Sequence, residues 1–433
     1  MDNSIISQRD MDVLWHPCTQ MKDHESFPII PISRGYGVIL EDFEGNQYID
    51  AISSWWVNLF GHRNEYINTK MKEQLESLEH VILAGFTHEP IVRLSERLVT
   101  LAPVGLSRCF YADNGSSAIE VALKMSYHSH RNRGTNKALF VSLSNSYHGE
   151  TLGALSVGDV ALYKETYEPL LIRSIQTPVP KNQSQEAALE AIEAFEALLQ
   201  KRADEIAALI VEPLVQGAGG MVMYHPHFLS RAKELCKAYG VHFIADEIMV
   251  GFGRTGTLFA CEQANITPDF LILSKGLTGG YLPLSVVLTT EDIYQQFYCE
   301  YDPYRTFLHS HSYTGNALAC AAANATLDIF EQNNVIESNR HLSAVMGREL
   351  GRFENFSGVK EIRQCGMIAA IELGGIDPSE RIGVKIHRHC LALGVLIRPL
   401  GNVIYVMPPY VISESELVTV FDAIESALNT YIV

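Results

Sequence analysis

Lys275 stands where a lysine could act as a nucleophile. In the segment FLILSKGLTGG (270–280) it follows four apolar residues and a serine, and it precedes a glycine-rich turn. An amine with little water around it has a lowered pKa, which a lysine needs to bond covalently to an aldehyde. The alternative is a lysine at a strand end whose stem is buried and whose amine reaches water. The apolar neighbours Leu273 and Leu277 weaken that alternative.

Asp246 is a second candidate, at the end of the apolar segment VHFIAD (241–246). Ligands of open α/β sheets bind beyond the carboxyl ends of the strands. A carboxylate that ends an apolar strand is costly unless a cation pairs with it. A helix N-cap, or an ion pair with a structural arginine, is the alternative use of this aspartate.

A third candidate is the turn at 114–117, in the segment DNGSSAIEVALKMSYHSH (113–130). The apolar periodicity after the turn predicts a helix. Free N–H groups at a helix start, together with serine hydroxyls, can bind a phosphate. A simple N-cap is the commoner use of such residues, and this segment alone favours the cap.

The three candidates together fit pyridoxal 5'-phosphate (PLP). The helix start would hold the phosphate, Asp246 would pair with the protonated ring nitrogen, and Lys275 would bind the aldehyde as an imine. Protonation of the ring makes this cofactor an electron sink, and a displaced Lys275 is placed to move the proton of the substrate. The sequence therefore predicts PLP chemistry.

The stretch GFGRTG (251–256) matches the glycine pattern of dinucleotide-binding loops, which raises an NAD-dependent dehydrogenase as an alternative. Such a loop must open a helix and be followed by an acidic residue that ends the next strand. Here a short segment with a proline follows, Asp269 begins a strand, and Arg254 adds a charge. The context does not fit a dinucleotide, so the glycines are expected to give the chain a tight path behind the cofactor.

The elements that must position these residues alternate through the middle of the chain. Continuous apolar runs predict strands buried on both faces of a mostly parallel sheet, with helices between them and a hairpin-rich region at each end. We predict a large domain at 66–332 and a smaller α+β domain from 1–65 and 333–433. The predicted strands are 138–144, 207–213, 241–246, 270–275 and 285–290, the predicted helices are 184–200 and 225–240, and a capping box at Ser413 and Glu416 opens the last helix.

Composition narrows the function classes. The 433 residues carry a formal net charge of −17, which argues against nucleic acid and against anionic membrane surfaces as partners. No apolar stretch approaches a membrane span, and the N-terminus does not have the pattern of a signal peptide. The eight cysteines include no C-x-x-C pair, which predicts free thiols in a reducing compartment and a cytoplasmic location.

Three histidine clusters, at 128–130, 309–311 and 387–389, raise a metal site as a possibility. Two histidines at positions i and i+2 do not face the same side of a helix. We therefore predict no metal.

The segment IADEIMVGFGRTG…PDFLILSKGLTGG resembles the signature of class III pyridoxal-phosphate aminotransferases of fold type I. Segments across the chain, from WHPCTQM and AISSWWVNLFGH to VLIRPLGNVIYVMPPY, are similar to one branch of that family, which works in biotin biosynthesis. The resemblance implies an α/β fold with a mostly parallel seven-stranded sheet and a homodimer whose subunits share each active site. It also implies small-molecule substrates, with S-adenosylmethionine as the amino donor.

The resemblance further implies roles around the cofactor. Lys275 would be the catalytic lysine, and Asp246 would hold the ring nitrogen. Gly115 and Ser116 would bind the phosphate, which His311 and Ser312 would reach from the other subunit. Tyr147 and Ile248 would lie on the two sides of the ring.

On the substrate side, Trp55 and Trp56 would wall the channel and Arg398 would hold the carboxylate of the acceptor. Adjacent tryptophans can line one channel only on an irregular backbone; otherwise one lies in the core and one on the surface. An ion pair with a surface carboxylate is the alternative use of Arg398. The remaining substrate residues would be Tyr147, Arg254 on the donor side, Tyr405, Cys18 and Ser310.

The chain departs from the family pattern on the substrate side. Cys18 replaces a tyrosine, Glu150 replaces an aspartate, and Ser310-His311-Ser312 replaces Gly-Pro-Thr. The amino donor is therefore left open between S-adenosylmethionine and a diamine, lysine or β-alanine-like compound. A non-catalytic binding protein on the same fold is disfavoured, because binding alone needs neither Lys275 nor Asp246.

Overall fold

A computed structural model describes residues 2–432, in which strands and helices alternate through the middle of the chain. The strands are β1 Ile32–Tyr36, β2 Ile39–Asp42, β3 Gln47–Asp50, β4 Leu106–Ala112, β5 Leu139–Leu143, β6 Ser174–Thr177, β7 Ile206–Val211, β8 Val215–Gln216, β9 Val222–Met223, β10 His242–Asp246, β11 Phe270–Leu273, β12 Ser285–Thr290, β13 Val359–Cys365, β14 Ile368–Leu373, β15 Val395–Leu396 and β16 Val403–Val406.

Most helices lie between these strands, and none among residues 2–432 combines the length and the apolar character needed to cross a lipid bilayer. The helices are α1 Asn3–Val13, α2 Ser53–Trp56, α3 Glu65–Leu75, α4 Glu89–Leu101, α5 Gly115–Asn132, α6 Leu152–Ser156, α7 Ala161–Lys164, α8 Gln185–Arg202, α9 His227–Ala238, α10 Glu291–Gln295, α11 Ala317–Gln332, α12 Val335–Leu350, α13 Ile382–Ala392 and α14 Glu414–Tyr431.

Seven strands form the central sheet, in the order β4-β12-β11-β10-β7-β5-β6. Only β12 runs antiparallel to its neighbours β11 and β4; the other pairings in the sheet are parallel. The prediction of an α/β fold with a mostly parallel seven-stranded sheet is confirmed. The five predicted strands and two predicted helices are also confirmed, with ends displaced by at most two residues.

The sheet is apolar on both faces because each face packs against helices. Along β10, Phe243 and Ala245 belong to the larger core cluster, whereas Ile244 belongs to the smaller cluster built around α5. Successive strand residues point to opposite faces, so Asp246 follows Ile244 toward the α5 side. The same alternation carries the next residue, Glu247, to the other side.

The two ends of the chain meet outside this sheet. Strand β15 pairs in parallel with β3, which completes a four-stranded sheet in the order β1-β2-β3-β15. A three-stranded sheet, β13-β14-β16, lies nearby in sequence, and the predicted capping box at Ser413 and Glu416 opens α14. The division into 1–65, 66–332 and 333–433 stays a prediction.

Gly280 offers a test of how tightly the loop after β11 is packed. Its φ is +89°, and a Cβ there would lie 2.9 Å from the Cα of Asn58. Gly256, with φ of +104°, has open space around it. Both alanine variants share the backbone strain, so we expect Gly280→Ala to lower the free energy of unfolding by about 1–3 kcal/mol more than Gly256→Ala. Chemical unfolding would measure this, and equal losses would contradict it.

Candidate active site

The candidate site lies where parallel strands end. Strands β4, β5, β7, β10 and β11 deliver their carboxyl ends to one edge of the sheet, and the residues just beyond those ends surround a cavity of about 210 Å³. The lining residues are Trp56, Asn114, Gly115, Ser116, Tyr147, His148, Gly149, Glu212, Val215, Gly217, Ala218, Asp246, Ile248, Met249, Val250, Ser274 and Lys275.

Helix α5 begins at the cavity, after β4. Asn114 is its N-cap and accepts a hydrogen bond from the amide of Ser117 at 3.0 Å. The amides of Gly115 and Ser116 lie in the first turn, where no intrahelical acceptor exists. The N-cap of this helix is therefore Asn114 and not a serine, and two amides remain next to the cavity for an anion.

Two glycines let neighbouring chain segments approach this helix start. A Cβ on Gly115 would lie 3.0 Å from the Cδ1 of Ile248, and a Cβ on Gly149 would lie 2.0 Å from the Oγ of Ser116. That Oγ accepts a hydrogen bond from the amide of Glu150 at 3.2 Å. The close packing keeps Ile248 and Ser116 in place at the cavity wall.

Asp246 is buried, with 4% of its surface exposed, and each oxygen of its carboxylate has a hydrogen-bond partner. Its Oδ2 lies 2.7 Å from the Nδ1 of His148, and its Oδ1 accepts the amide N–H of Ile248 at 3.1 Å. Sequence reasoning missed His148. The available signal was its position next to Tyr147 in the YHG segment, but the pairing joins residues 98 positions apart.

Lys275 follows β11 and has a φ of +45°, in the left-handed region that side chains rarely adopt. Its Nζ lies 4.4 Å from the ring centre of Trp56, a cation–π contact. Burial lowers the pKa of the Lys275 amine to about 8, although the carboxyl groups of Asp246 and Glu212 oppose that fall. A substantial fraction of the amine is therefore uncharged near neutral pH.

Glu212 is a second residue that sequence reasoning missed. It directly follows β7 and is buried, with an Oε2 that has no hydrogen-bond partner. Burial raises the pKa of its carboxyl well above the ordinary value, and the nearby Asp246 raises it further. The signal was the acidic residue after a predicted strand, in the VEP segment.

Trp55 and Trp56 stand on an irregular backbone. Every residue of the turn Ser53–Trp56 has a positive φ. The buried Asp50 supports the turn, because its carboxylate accepts the amide and the hydroxyl of Ser54 at 2.9 and 2.7 Å. This is the irregularity that two adjacent tryptophans need in order to reach one channel.

The two tryptophans occupy different depths. Trp56 is buried against Lys275 and packs edge to face with Tyr405, with ring centres 5.9 Å apart. Trp55 is 39% exposed, and the guanidinium of Arg398 lies 4.9 Å from its ring centre. Trp56 thus lines the cavity, whereas Trp55 and Arg398 form part of its mouth.

Cys18 belongs to the same mouth. Its backbone carbonyl accepts a hydrogen bond from Nη2 of Arg398 at 2.8 Å, and its side chain is exposed. Tyr163 lies beside it and contacts Tyr147, with ring centres 5.6 Å apart. Burial and the neighbouring Cys18 raise the pKa of Tyr163 to about 12, so its hydroxyl stays protonated. The structure brings Cys18 and Arg398 into contact, and Tyr163 joins them to Tyr147.

Arg254 is not a wall of the cavity. It is 1% exposed and donates to the carbonyl of Pro408 at 2.7 Å and to that of Asn58 at 3.0 Å, with its guanidinium 4.9 Å from the ring centre of Tyr410. These contacts tie the 251–256 loop to two distant chain segments. They support a structural role for Arg254, and a direct role in reading the substrate has no support from them.

Ser310, His311 and Ser312 lie outside the cavity of their own chain. The backbone carbonyl of Ser312 contacts Nε2 of His80 at 2.8 Å, and His311 contacts His309. A role of this segment at the cofactor therefore requires a second subunit.

The reason given for excluding a metal at 309–311 is wrong. This segment is not helical, and the Nε2 atoms of His309 and His311 are 3.2 Å apart. In the part of the chain that the structure describes, no group of three or more His, Cys, Asp or Glu side chains is arranged to hold a metal ion.

The residues around the cavity fit PLP. Two unpaired helix amides suit a phosphate, Asp246 suits a ring N–H, and Lys275 suits an aldehyde. Tyr147 and Ile248 supply an aromatic and an apolar surface at the wall. Two buried atoms, Nε1 of Trp56 and Oε2 of Glu212, have no hydrogen-bond partner among residues 2–432, as expected of groups that face a ligand.

Comparison with known proteins decides the family. A family model described as Aminotransferase class-III matches residues 19–428. The chain belongs to the class-III aminotransferases. This aminotransferase is 54% identical over 418 residues to the adenosylmethionine-8-amino-7-oxononanoate aminotransferase of Helicobacter pylori, with 95% of each chain covered.

Solved structures agree with this assignment. The crystal structure of adenosylmethionine-8-amino-7-oxononanoate aminotransferase from Methanocaldococcus jannaschii superposes on this aminotransferase with a TM-score of 0.95, 36% identity and 99% of each chain covered. An amine transaminase from an uncultivated Pseudomonas species, in its PLP-bound form, gives a TM-score of 0.92 at 30% identity over 96% of this chain and 98% of its own. The predictions of fold type I, of PLP as cofactor and of an aminotransferase are confirmed.

The lowered pKa of Lys275 leads to a prediction for the aminotransferase freed of its cofactor. Acetylation of Lys275, followed by mass spectrometry of its peptide, should rise with pH around a midpoint near pH 8. Asp246→Asn should shift this midpoint downward, because the Asp246 carboxylate stabilises the ammonium form. Glu262→Gln, away from the cavity, is the control. A midpoint near the ordinary lysine value of 10.5 would show that the amine is well hydrated.

Proposed function

We propose that this aminotransferase moves an amino group from S-adenosylmethionine to the ketone of 8-amino-7-oxononanoate, giving 7,8-diaminononanoate in biotin biosynthesis. The observation that carries the proposal is the mouth of the site, where Arg398 lies against Trp55 above the buried Trp56 and Lys275. An arginine at the outer end of an aromatic channel suits an acceptor whose apolar chain ends in a carboxylate. The name of the Helicobacter pylori relative supports the same reaction.

The reaction proceeds in two halves on one site. When bound, PLP supplies the electron sink and carries the amino group from donor to acceptor between the halves. The donor product must leave before the acceptor enters, because both react at the same cavity. A ping-pong order follows from this sharing.

Lys275 would move the proton in each half. Its Nζ, with a pKa near 8, is uncharged often enough to take a proton from the substrate carbon and basic enough to return it. The ring of Trp56, 4.4 Å from Nζ, excludes water from one side of the amine. Glu212 lies in the same dry cavity, where burial and the nearby Asp246 raise the pKa of its carboxyl well above the ordinary value.

Other residues would hold the cofactor in register. The Asp246 carboxylate, directed by His148 at 2.7 Å, would hold the proton of the ring nitrogen. The amides of Gly115 and Ser116 would bind the phosphate at the start of α5. Tyr147 and Ile248 would keep the ring between them, and Tyr405 would support the Trp56 side of the channel.

Arg398 would recognise the acceptor. Its hydrogen bond to the Cys18 carbonyl goes to a backbone oxygen rather than to a carboxylate, so the guanidinium keeps donors for a ligand. Its stacking on Trp55 fixes the plane of the guanidinium. The alternative use of this arginine is a surface ion pair, but the partner of Nη2 is the backbone carbonyl of Cys18.

The active form would be a homodimer. Ser310, His311 and Ser312 do not line the cavity of their own chain, and Tyr301 and Tyr304 near them are 93% and 88% exposed. In a dimer these aromatic side chains could be covered, and Ser312 and His311 could reach the phosphate of the other subunit. A second cavity of about 370 Å³ opens on Lys275 and Gly115 from outside, which leaves room for that approach.

A cytoplasmic location is part of the proposal. All eight cysteines are free thiols in the structure. Free thiols persist in a reducing compartment.

Two arginines give a matched test of substrate recognition. We expect Arg398→Met to raise the KM for 8-amino-7-oxononanoate about tenfold or more, because a charge-assisted hydrogen bond to the carboxylate is lost. We expect Arg254→Met to lower the midpoint of chemical unfolding, since the carbonyls of Asn58 and Pro408 lose their donors, with substrate affinities unchanged in the folded enzyme. Steady-state kinetics and unfolding curves measure both. An unchanged acceptor KM in Arg398→Met would contradict the assigned role.

The cofactor bond and the donor can be tested on the loaded enzyme. Borohydride reduction followed by peptide mapping should find a pyridoxyl adduct on Lys275, and Lys275→Ala should show none. Adding S-adenosylmethionine should bleach the absorbance of the bound cofactor, whereas lysine, a diamine or β-alanine should not. Bleaching by lysine alone would reassign the donor, and an adduct on another lysine would reject the mechanism.

A further inference from the structure

Glu247 is a fully buried carboxylate directly after Asp246. The alternation along the strand directs the Glu247 side chain away from the cavity. This side chain therefore neither lines the cavity nor reaches solvent. Its Oε2 accepts the amide of Ala260 at 2.6 Å and its Oε1 accepts the amide of Cys261 at 2.8 Å. Among residues 2–432 no lysine, arginine or histidine pairs with it; the two backbone amides and the Cys261 thiol stabilise its carboxylate.

The backbone of Glu247 is held as firmly as its side chain. Its amide donates to the carbonyl of Ile272 on β11 at 3.0 Å, and its carbonyl accepts the amide of Gly251 at 3.0 Å. A Cβ on Gly251 would lie 2.8 Å from that carbonyl oxygen. The first glycine of the 251–256 loop is therefore needed for the chain to turn back onto Glu247.

The neighbours of Glu247 on both sides belong to the site. Asp246 and Ile248 line the cavity, and the amide of Ile248 donates to Asp246 Oδ1 at 3.1 Å. The side chain of Ile248 also packs against Gly115. A shift of Glu247 would move the ring-nitrogen partner and the apolar wall together, since one short segment carries all three.

We propose that Glu247 is a positioning residue for the cofactor: its ionised carboxylate grips the amides of Ala260 and Cys261 and thereby holds Asp246 and Ile248 at the cavity wall. The inference rests on the proposed cofactor role of Asp246. The Glu247 side chain would thus support the site from the opposite side of β10 to the cavity.

The grip depends on the charge of Glu247. A protonated carboxyl cannot accept from both amides as well as a carboxylate does. Burial raises the pKa of Glu247 to about 7, although the amides of Cys261 and Ala260 lower it. The titratable groups that face it are Cys261, Glu262 and Tyr224. The grip is therefore about half formed at about pH 7, becomes stronger as the pH rises above this value and is lost as the pH falls below it.

The effect on stability has the opposite sign. The folded state holds the Glu247 proton more tightly than the unfolded chain, whose glutamate has a pKa near 4.5. This group therefore stabilises the fold most at low pH, and that contribution is lost as the pH rises toward 7 and above. As the pH rises, the cofactor is expected to bind more tightly while the contribution of Glu247 to folding stability falls. These opposite pH dependences distinguish a positioning role from a purely structural one.

The test measures PLP binding by the cofactor-free full chain, through quenching of tryptophan fluorescence. Trp56 next to Lys275 makes this signal sensitive to occupancy. At about pH 8, Glu247→Gln should bind PLP about tenfold more weakly than the wild type, because one amide loses its acceptor. At about pH 6 the two proteins should differ much less. Other titrating groups are common to both proteins, so the difference isolates Glu247.

Glu262→Gln is the matched control. Glu262 also accepts a backbone amide in this turn, from Phe259 at 2.8 Å, but it is not adjacent to Asp246. Its affinity for PLP should follow the wild type at about pH 8, where Glu247 is ionised in both proteins. Equal weakening in Glu262→Gln, or identical binding by Glu247→Gln and wild type at about pH 8, would overturn the inference.

Two further variants keep the outcome interpretable. If Glu247→Gln does not fold, Gly251→Ala, which presses on the Glu247 carbonyl, should weaken PLP binding at about pH 8 in the same way, and unaltered binding would overturn the inference. Asp246→Asn distinguishes a failure of the proposed cofactor site from a failure of the role of Glu247. If it binds PLP like the wild type, the proposed site fails; if it weakens binding while Glu247→Gln does not, only the role of Glu247 fails.

Discussion

The removal of water from around Lys275 is the constraint on which the rest of the site depends. Burial disfavours the charged form of the amine and lowers its pKa, whereas nearby carboxyl groups favour the charged form. The pKa of about 8 results from these two opposing effects. The protein meets both demands by placing Asp246 and Glu212 at neighbouring strand ends and covering the amine with Trp56. A parallel sheet is suited to this task, because it brings residues far apart in sequence to one dry edge.

The fold was predictable because its signals are local. Continuous apolar strands with helices between them are readable in short windows, and the bounds of β10, β11 and β12 differ little from expectation. Lys275 and Asp246 were predictable for the same reason, since each ends an apolar strand. His148 and Glu212 were not, because their importance comes from contacts made across the sheet. The contacts of Arg254 were not predictable either, because the carbonyls of Asn58 and Pro408, which accept from two of its nitrogens, belong to distant chain segments.

Strained backbone conformations occur at two places in the site. The turn Ser53–Trp56 and Lys275 all have positive φ. Such conformations persist only where the surroundings enforce them. Asp50 does so for the turn through Ser54, and the packing of Trp56 on Lys275 links the two strained positions. The strained backbone thereby places one tryptophan inside the channel and its neighbour at the entrance.

The pairing of β3 with β15 has a consequence for the order in which a ribosome can complete the enzyme. The residues that surround Lys275 have all been synthesised once the central sheet is finished. The entrance has not, because Arg398 follows β15 in the last tenth of the chain, while its neighbours Trp55 and Cys18 were made near the beginning. A nascent chain thus contains Lys275, Asp246 and Glu212 before Arg398 is made, and the contacts of Arg398 with Trp55 and Cys18 form only when its two ends join.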